Sequence, residues 1–368
     1  AYRRPETFDT NLIVSGAGSA GLVTSLIAAT VKARVTLIER DRMGGDCLNT
    51  GCVPSKALIR SARIAEYARR AGDCGLSTGA VEVDFARVME RVQSVIRRIE
   101  PHDSVERFTE LGVDCVQGQA RIVSPWEVEV DGRTLSAPNI VIASGSRPRI
   151  PTIPGLEQVD YLTSDTVWEL REAPPRLLVI GAGPIGCELA QAFSRLGSEV
   201  VLITHAPGIL PREDEEVSAC LEAALRSAGV EIHTAVEPVS IEAHGPGGTC
   251  RLRGGASEAI NFDRLLLAVG RSANVEDLGL ESLGIDLTEQ GTVAVDDYLR
   301  TAMPTIYACG DVAGPYLFTH MASHQAWYAA VNALFGKVRK FRVDYSVVPW
   351  ATFTDPEVAR VGLSEGEA

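Results

Sequence analysis

Asn11-Leu-Ile-Val-Ser15-Gly16-Ala-Gly18-Ser19-Ala20-Gly21 runs from a short apolar stretch into a glycine-rich turn, and a helical pattern continues to about Val31. Arg34 to Ile38 then reads as a second apolar strand, closed by Glu39. A buried parallel strand, a glycine turn and a helix make one half of a dinucleotide-binding unit. Each glycine has its own task there: Gly16 makes the turn, Gly18 lets the backbone approach a pyrophosphate, and Gly21 lets helix and strand pack closely. A carboxylate such as Glu39, at the end of the second strand, accepts hydrogen bonds from ribose hydroxyls.

The same pattern returns downstream. Arg176 to Ile180 reads as a strand, Gly181-Ala-Gly183-Pro184-Ile185-Gly186 as the turn, Cys187 to Leu196 as a helix and Glu199 to Ile203 as the next strand. One G-x-G-x-x-G is weak, since glycine-rich turns are common; two copies in the same context point to two dinucleotide sites. The position equivalent to Glu39 in the second copy is Thr204, with His205 beside it. An acid there would bond an unphosphorylated ribose and repel a 2′-phosphate, whereas basic residues would favour the phosphate. Thr204 does neither, and an equal reading is that it simply ends a strand. Arg212 lies farther along, so the choice between NADPH and NADH stays open, with the missing acid leaning toward NADPH.

Between the two copies stands Gly44-Gly45-Asp46-Cys47-Leu-Asn-Thr-Gly-Cys52-Val-Pro-Ser-Lys56. It sets two cysteines five positions apart in a glycine-rich turn that enters a helix. Five residues of helix advance about 7.5 Å, so a bridge fits only if Cys47 sits at the looser helix entrance. A helix N-terminus favours a thiolate, and Lys56 adds positive charge one turn on. A structural disulfide is the first alternative, but so short a loop restrains little unfolded-state entropy. Half of a zinc site is the second, but it would want another Cys or His pair at similar spacing, and none follows. Cys74, Cys115, Cys187, Cys220, Cys250 and Cys309 are scattered singly, as expected of small apolar residues in a reducing compartment. The pair reads as a redox-active disulfide.

A chain of 368 residues is long for one core and suggests two or three domains. Its formal charge of −13 argues against a nucleic-acid groove or an anionic-membrane surface. Residues 1–8 lack an apolar signal core, and no uninterrupted apolar run reaches the roughly 18 residues of a membrane span. The expectation is a soluble, cytoplasmic α/β protein.

Two further strands, Asn139 to Ala143-Ser144-Gly145 and Leu265 to Gly270-Arg271, end in glycine turns and read as chain crossings between domains. Thr305 to Gly310-Asp311 ends in a carboxylate suited to a polyol chain; an ordinary turn-starting Asp is the equal alternative. His320 and His324 stand i, i+4 on an expected helix, a spacing that can bind a metal. No adjacent Glu completes a hydrolytic motif, so core-facing or cofactor-facing histidines are the expectation, with no metal site.

Taken in order, GAGSAG with Glu39, GGDCLNTGCVPSK, IASGSRP, GAGPIGCE, AVGR and IYACGDV resemble the pyridine nucleotide-disulfide oxidoreductases, the group of lipoamide dehydrogenase, glutathione reductase and mercuric reductase. The resemblance covers essentially the whole chain. It implies two Rossmann-like domains, the second inserted into the first: an FAD-binding domain at 1–150, an NAD(P)-binding domain at 151–271, a central part at 272–345 returning to the FAD domain, and the start of an interface domain at 346–368. Gly16, Gly18, Ser19, Ala20, Gly21, Glu39, Arg40, Gly45, Asp46, Gly118, Ala120, Ala143, Ser144, Gly145, Gly310, Asp311, Phe318, Thr319 and His320 would bind FAD. Glu39 would hold the adenosine ribose, Gly118 the adenine side and Asp311 the ribityl chain. Gly181, Gly183, Pro184, Ile185, Gly186, Glu188, Thr204, His205, Gly270 and Arg271 would bind NADPH or NADH. Lys56 would lie near flavin N5 paired with Glu188; a solvated ion pair is the alternative. Cys52 would face the flavin and Cys47 the substrate.

Three departures stand out. Pro184 occupies the place where some relatives put a gating Tyr. The stretch from Leu317 to Tyr328 is richer in His and aromatics than in the named enzymes. The chain stops where relatives continue into an interface domain with a His-Pro motif and a Glu that serve the partner subunit. The expectation is therefore a truncated form whose full-length version is a homodimer. The wording is closer to mercuric-reductase-like members, some of them modules fused to a membrane domain, yet this chain lacks the C-terminal thiol pair that mercuric reductases use. The resemblance implies an enzyme passing electrons from NAD(P)H through FAD to Cys47–Cys52 and on to a small-molecule disulfide or soft metal ion. The alternatives are an NAD(P)H diaphorase acting on quinones and a non-catalytic flavin-binding redox sensor.

Overall fold

The computed structural model describes residues 2–255 and 257–368. The chain forms two compact units, each assembled from three separated segments: residues 1–49, 97–147 and 272–346 in the first, and 50–96, 148–271 and 347–368 in the second.

The first unit is built on a five-stranded parallel sheet in the order Ile306–Ala308, Ile140–Ile142, Leu12–Ser15, Val35–Glu39, Val113–Gln117. Leu12–Ser15 is buried at every position because it is central and covered on both faces, which is why it reads as a continuous apolar run. The helices Ser19–Thr30 and Thr319–Phe335 cover one face, burying Leu22, Ala28, Ala326 and Ala329 against Leu12 and Val141. The other face packs Ile13 and Ile140 against an antiparallel sheet of Ala120–Ser124, Glu127–Val130 and Arg133–Ser136. Ile306–Ala308 joins this sheet only after the chain has left at Arg147 and returned at Ser272, so the second module is inserted into the first.

The second unit repeats the plan with a parallel sheet in the order Val230–His233, Glu199–Ile203, Arg176–Ile180, Arg264–Leu267, Tyr161–Leu162. An antiparallel sheet of Glu237–His244, Gly247–Arg253 and Ala259–Phe262 supplies the opposing apolar layer through Ile241, Cys250 and Phe262. The helices Cys52–Arg69 and Pro184–Arg195 pack together in this unit, and the hairpin Pro349–Thr352 with Val358–Val361 lies against the latter.

The expected helix starting at Cys187 begins three residues earlier, because Pro184 takes its first turn, where a missing N–H costs nothing. In the densest run of cations, Lys337, Arg339, Lys340 and Arg342, the last three have local partners. Arg339 lies over the Phe341 ring, Lys340 over Tyr298, and Arg342 pairs with Asp297 at 2.9 Å. No helix of the described residues is long and apolar enough to cross a membrane.

Candidate functional site

In the first glycine turn, three glycines are glycines for different reasons. Gly16 has φ +105°, and a Cβ there would stand 2.3 Å from the Ala143 carbonyl oxygen. A Cβ on Gly21 would stand 1.7 Å from the Gly16 carbonyl oxygen. Gly18 is different: φ is −80°, open to any residue, and a Cβ would meet nothing closer than Gly45 Cα at 3.8 Å. Neither backbone nor packing within the chain requires glycine at 18. The Ser19–Thr30 helix starts immediately after, with no side-chain cap and no acid in its first turn, leaving its amide hydrogens directed at the space beside Gly18. Gly44 and Gly45, both at positive φ, bring the following loop against this turn, where the Gly44 N–H bonds the Ala17 carbonyl at 2.9 Å.

The second turn reproduces this arrangement. Gly181 has φ +111° with the Ala268 carbonyl 2.3 Å from its would-be Cβ, and a Cβ on Gly186 would lie 1.9 Å from the Gly181 carbonyl oxygen. Gly183 has φ −76° and nothing within 4 Å. Both modules thus carry two glycines that the fold requires and one that it does not. At each opening a bare Cα lies beside an uncapped helix N-terminus, a chemistry that suits a dinucleotide pyrophosphate.

Glu39 ends the Val35–Glu39 strand beside the first turn, and its carboxylate accepts the Ala17 N–H at 2.6 Å and the Asp41 N–H at 2.8 Å. It lines a cavity of about 320 Å³ together with Gly16, Arg40, Gly118, Ala120 and Ser144. These expected residues are therefore brought together, although 79 positions separate Glu39 from Gly118. Gly118 holds φ +148°, where a Cβ would strike the Val130 side chain at 2.5 Å. The sequence reading missed the far wall, formed by Arg147, Asn274 and Glu276. Arg147 bonds Glu276 at 2.6 and 2.9 Å, and the Asn274 amide donates to the Ser144 carbonyl at 2.9 Å. Two chain segments contribute that wall; Arg147 lies within the IASGSRP motif, and no local motif marks Asn274 or Glu276. Ser19, Ala20, Asp46, Ala143 and Gly145 belong to the same unit but are not part of this cavity wall.

Asp311 follows Gly310 at the end of Ile306–Ala308 and accepts a hydrogen bond from Ser146 Oγ at 2.6 Å. The fully buried Gln325 fixes this turn: its oxygen accepts the Gly310 N–H at 2.6 Å, and its amide donates to the Gly314 carbonyl at 2.6 Å and the Tyr345 oxygen at 2.8 Å. Phe318 and His320 stack at 5.4 Å on either side of Thr319. His320 is exposed, so it does not face the core. His324 sits with Nε2 2.8 Å from the Asp344 carbonyl and edge-on to Tyr328. Among the described residues, no group of three or more His, Cys, Asp or Glu side chains gathers as a metal site.

In the second module, Thr204 is buried just past Glu199–Ile203, and its hydroxyl accepts the Ala206 N–H at 3.2 Å, while His205 and Arg212 are exposed. Ile185 is also partly exposed beside Pro184, on the first turn of its helix. Gly270 has φ +109°, and Arg271 donates to Ser164 Oγ at 3.4 Å.

Cys47 lies within the short Gly45–Asn49 helix, and Cys52 is the first residue of Cys52–Arg69, whose N-cap Gly51 offers no side-chain cap. Both sulfurs are half-buried. One turn on, Lys56 Nζ lies 3.0 Å from Glu188 Oε2. The Glu188 side chain is only 7% exposed against 37% for Lys56, so this is not the solvated surface pair of the alternative reading. The sequence reading missed Phe353, whose ring centroid lies 4.4 Å from Lys56 Nζ and whose N–H donates to Glu188 Oε1 at 2.9 Å. The remaining buried thiols are inert by environment: burial pushes Cys187 and Cys309 up to about 12 and Cys250 up to about 11.

Comparison with known proteins agrees with this geometry. The family profile described as pyridine nucleotide-disulphide oxidoreductase matches residues 10–332. The mercuric reductase of Bacillus cereus is 36% identical over 362 residues, covering 98% of this chain and 57% of its own length. The dihydrolipoyl dehydrogenase of Bacillus subtilis (strain 168) is 37% identical over 369 residues, covering 98% of this chain and 77% of its own. Among solved structures, the Cu(II) complex of the HOCl-induced flavoprotein disulfide reductase RclA from Escherichia coli superposes with a TM-score of 0.85 at 27% identity, over 98% of this chain and 78% of that one. The chain spans 57% to 66% of the length of the mercuric reductases of Bacillus cereus, Staphylococcus aureus and Lysinibacillus sphaericus. With the profile match covering most of its length and two glycine turns built alike, the chain belongs to the pyridine nucleotide-disulphide oxidoreductase family.

Proposed function

We propose that this protein is an FAD-dependent oxidoreductase that takes electrons from NADPH or NADH, stores them on Cys47 and Cys52, and delivers them to a small-molecule disulfide or a soft metal ion. The observation that supports it best is the pair Gly18 and Gly183, two glycines at ordinary φ where a Cβ would meet nothing closer than 3.8 Å. In this reading Gly18, Glu39, Ser144 and Asp311 hold FAD, and Gly183 with the first turn of Pro184–Arg195 holds the nicotinamide dinucleotide. FAD, when bound, supplies the two-electron relay between the nicotinamide and the disulfide.

The chain's own groups then have defined tasks. Glu188 keeps the Lys56 ammonium in one place as a fixed positive charge. Cys52, at an uncapped helix N-terminus, has amide hydrogens that favour its thiolate. Cys47 attacks an oxidised substrate disulfide, forms a mixed disulfide and releases one substrate thiolate. Cys52 then attacks the Cys47 sulfur, closes the intramolecular disulfide and releases the second thiolate, so two electrons leave the pair. With a soft metal ion the two thiolates are ligands instead. By its resemblance to the family the protein is taken as cytoplasmic and its full-length form as a homodimer, which cell fractionation and sedimentation would check.

Anaerobic titration of the FAD-loaded protein with NADPH and with NADH tests the reading. A long-wavelength thiolate-to-flavin absorption that Cys52→Ser abolishes is the expected result, and the nucleotide that produces it at lower concentration is the donor. Fully bleached flavin without that band would sink the disulfide relay. Dye or quinone reduction that survives Cys47→Ser would favour a diaphorase, and no reduction by either nucleotide would favour a flavin-binding redox sensor.

A further inference from the structure

We infer that Phe353 is a positioning residue for Lys56: its ring face and its backbone N–H together hold the Lys56–Glu188 pair in one geometry. The relevance of that geometry to electron transfer rests on the function proposed above; the geometry itself does not. Glu188 uses both carboxylate oxygens, Oε2 toward Lys56 Nζ at 3.0 Å and Oε1 toward the Phe353 N–H at 2.9 Å. The carboxylate therefore cannot rotate away from Lys56 without stranding a backbone donor. The same residue sets its aromatic face toward the ammonium, with the centroid 4.4 Å from Nζ, inside the range where the ring quadrupole attracts a cation. Ser55 Oγ accepts a further bond from Nζ at 3.3 Å.

Phe353 is itself held from two helices. On Pro184–Arg195, Glu188, Gln191 and Arg195 share one face at i, i+3 and i+7. Gln191 exchanges hydrogen bonds of 2.8 Å in both directions with the Asp355 backbone, and Arg195 pairs with the Asp355 carboxylate at 2.8 Å. On Cys52–Arg69, Arg63 stands two turns after Lys56 and donates to the Thr354 carbonyl at 3.0 Å while pairing with Glu357 at 3.0 Å. Thr352 and Thr354 on either side are buried, yet Phe353 is 37% exposed. At this exposure the ring is not enclosed by the core, and its face is turned to the ammonium. The backbone register around it is secured with polar groups that keep the ring on the cation.

Lysine labelling separates this idea from a packing role and from the functional reading. The full chain, FAD-loaded as purified, would be treated with trace acetic anhydride, and the relative labelling rate of Lys56 read by peptide mass spectrometry in wild type, Phe353→Leu and Phe353→Trp. Leucine keeps apolar bulk and the N–H but removes the π face; tryptophan keeps the face. A half-exposed cation–π contact corresponds to about a two- to fivefold increase in Lys56 labelling in Phe353→Leu, with Phe353→Trp near wild type. Thermal unfolding should be almost unchanged in both. Equal labelling in wild type and Phe353→Leu, or equal increases in the Leu and Trp variants, would overturn the inference. If Phe353→Leu fails to fold, Phe353→Met serves the same comparison. The nucleotide titration of the wild-type protein judges the proposed function separately, so a protein that shows no flavin reduction but does show the labelling pattern would keep the positioning role and lose the electron-transfer reading.

Discussion

Glu39 reaches back to the glycine turn of its own module: its Oε2 accepts the Ala17 amide hydrogen at 2.6 Å. The bond ties the end of the second strand to the turn after the first, and it aims the carboxylate into the cavity that Gly118 and Ser144 also line. Replacing Glu39 by Gln leaves one acceptor for two backbone donors, since Asp41 N–H bonds the other oxygen. The expected cost is about 1–2 kcal/mol of stability in the protein without FAD. FAD affinity should fall about tenfold to a hundredfold. Urea unfolding and fluorescence titration with FAD measure the two separately, and unchanged FAD affinity would remove Glu39 from the proposed site.

The glycines divide into two classes that mutation should separate. Gly21→Ala and Gly186→Ala place a Cβ 1.7 and 1.9 Å from a carbonyl oxygen, so helix and strand must part. Each should cost at least about 3 kcal/mol. Gly18→Ala and Gly183→Ala meet no such obstacle and should stay within about 1 kcal/mol of wild type while losing dinucleotide binding. Thermal melts with and without FAD, and with and without NADPH, read out both. An alanine at 183 that binds NADPH normally would contradict the reading of that open space.

Gln325 ties the Gly310–Asp311 turn to its surroundings through three hydrogen bonds. Leucine in its place would fit the volume but strand the Gly310 N–H, the Gly314 carbonyl and the Tyr345 hydroxyl, all bonded by Gln325 in the wild type. Gln325→Leu should destabilise by about 2–4 kcal/mol, well above an isosteric apolar swap. Chemical denaturation checks this; a loss under about 1 kcal/mol would mean the turn is held otherwise.

Alkaline pH should weaken the fold through its buried thiols. Burial raises Cys187 and Cys309 from 9.0 to about 12, and Cys250 to about 11, because a thiolate in those apolar sites would lose its hydration. A raised folded-state pKa means the unfolded chain gives up these protons first. Their contribution is fully present below about pH 9 and is lost progressively as pH climbs toward 12. Urea midpoints should therefore hold between pH 7 and 8.5 and fall above it, with a shallower fall in Cys187→Ser and Cys309→Ala variants that still fold. Iodoacetamide at pH 8 should leave Cys187, Cys250 and Cys309 unmodified in the native protein.

Two Rossmann-like modules were legible along the chain because each turn is a local object. Gly16, Gly18 and Gly21, and later Gly181, Gly183 and Gly186, sit at fixed offsets between a fully buried strand and a helix. Parallel strands covered on both faces show as uninterrupted apolar runs, so Arg176–Ile180 and Glu199–Ile203 were bounded as the structure has them. The positions of Glu39, at the end of such a strand, and of Asp311, in the turn after one, were legible for a related reason. What no local pattern encodes is contact between distant segments. The wall of Arg147, Asn274 and Glu276 comes from two segments separated by the inserted module, and Gln325 reaches Gly310 from a helix whose sequence reads simply as apolar. His320 sits on that same largely apolar helix, whose pattern does not say which way it faces. Phe353 is the clearest case: its meeting with Lys56 and Glu188 depends on the packing of two helices with a turn near the far end of the chain. Backbone conformation and the strand–turn–helix order were set by neighbours in sequence. The partners of each charged or aromatic side chain were set by which surfaces the folded units bury, and that only the tertiary structure decided.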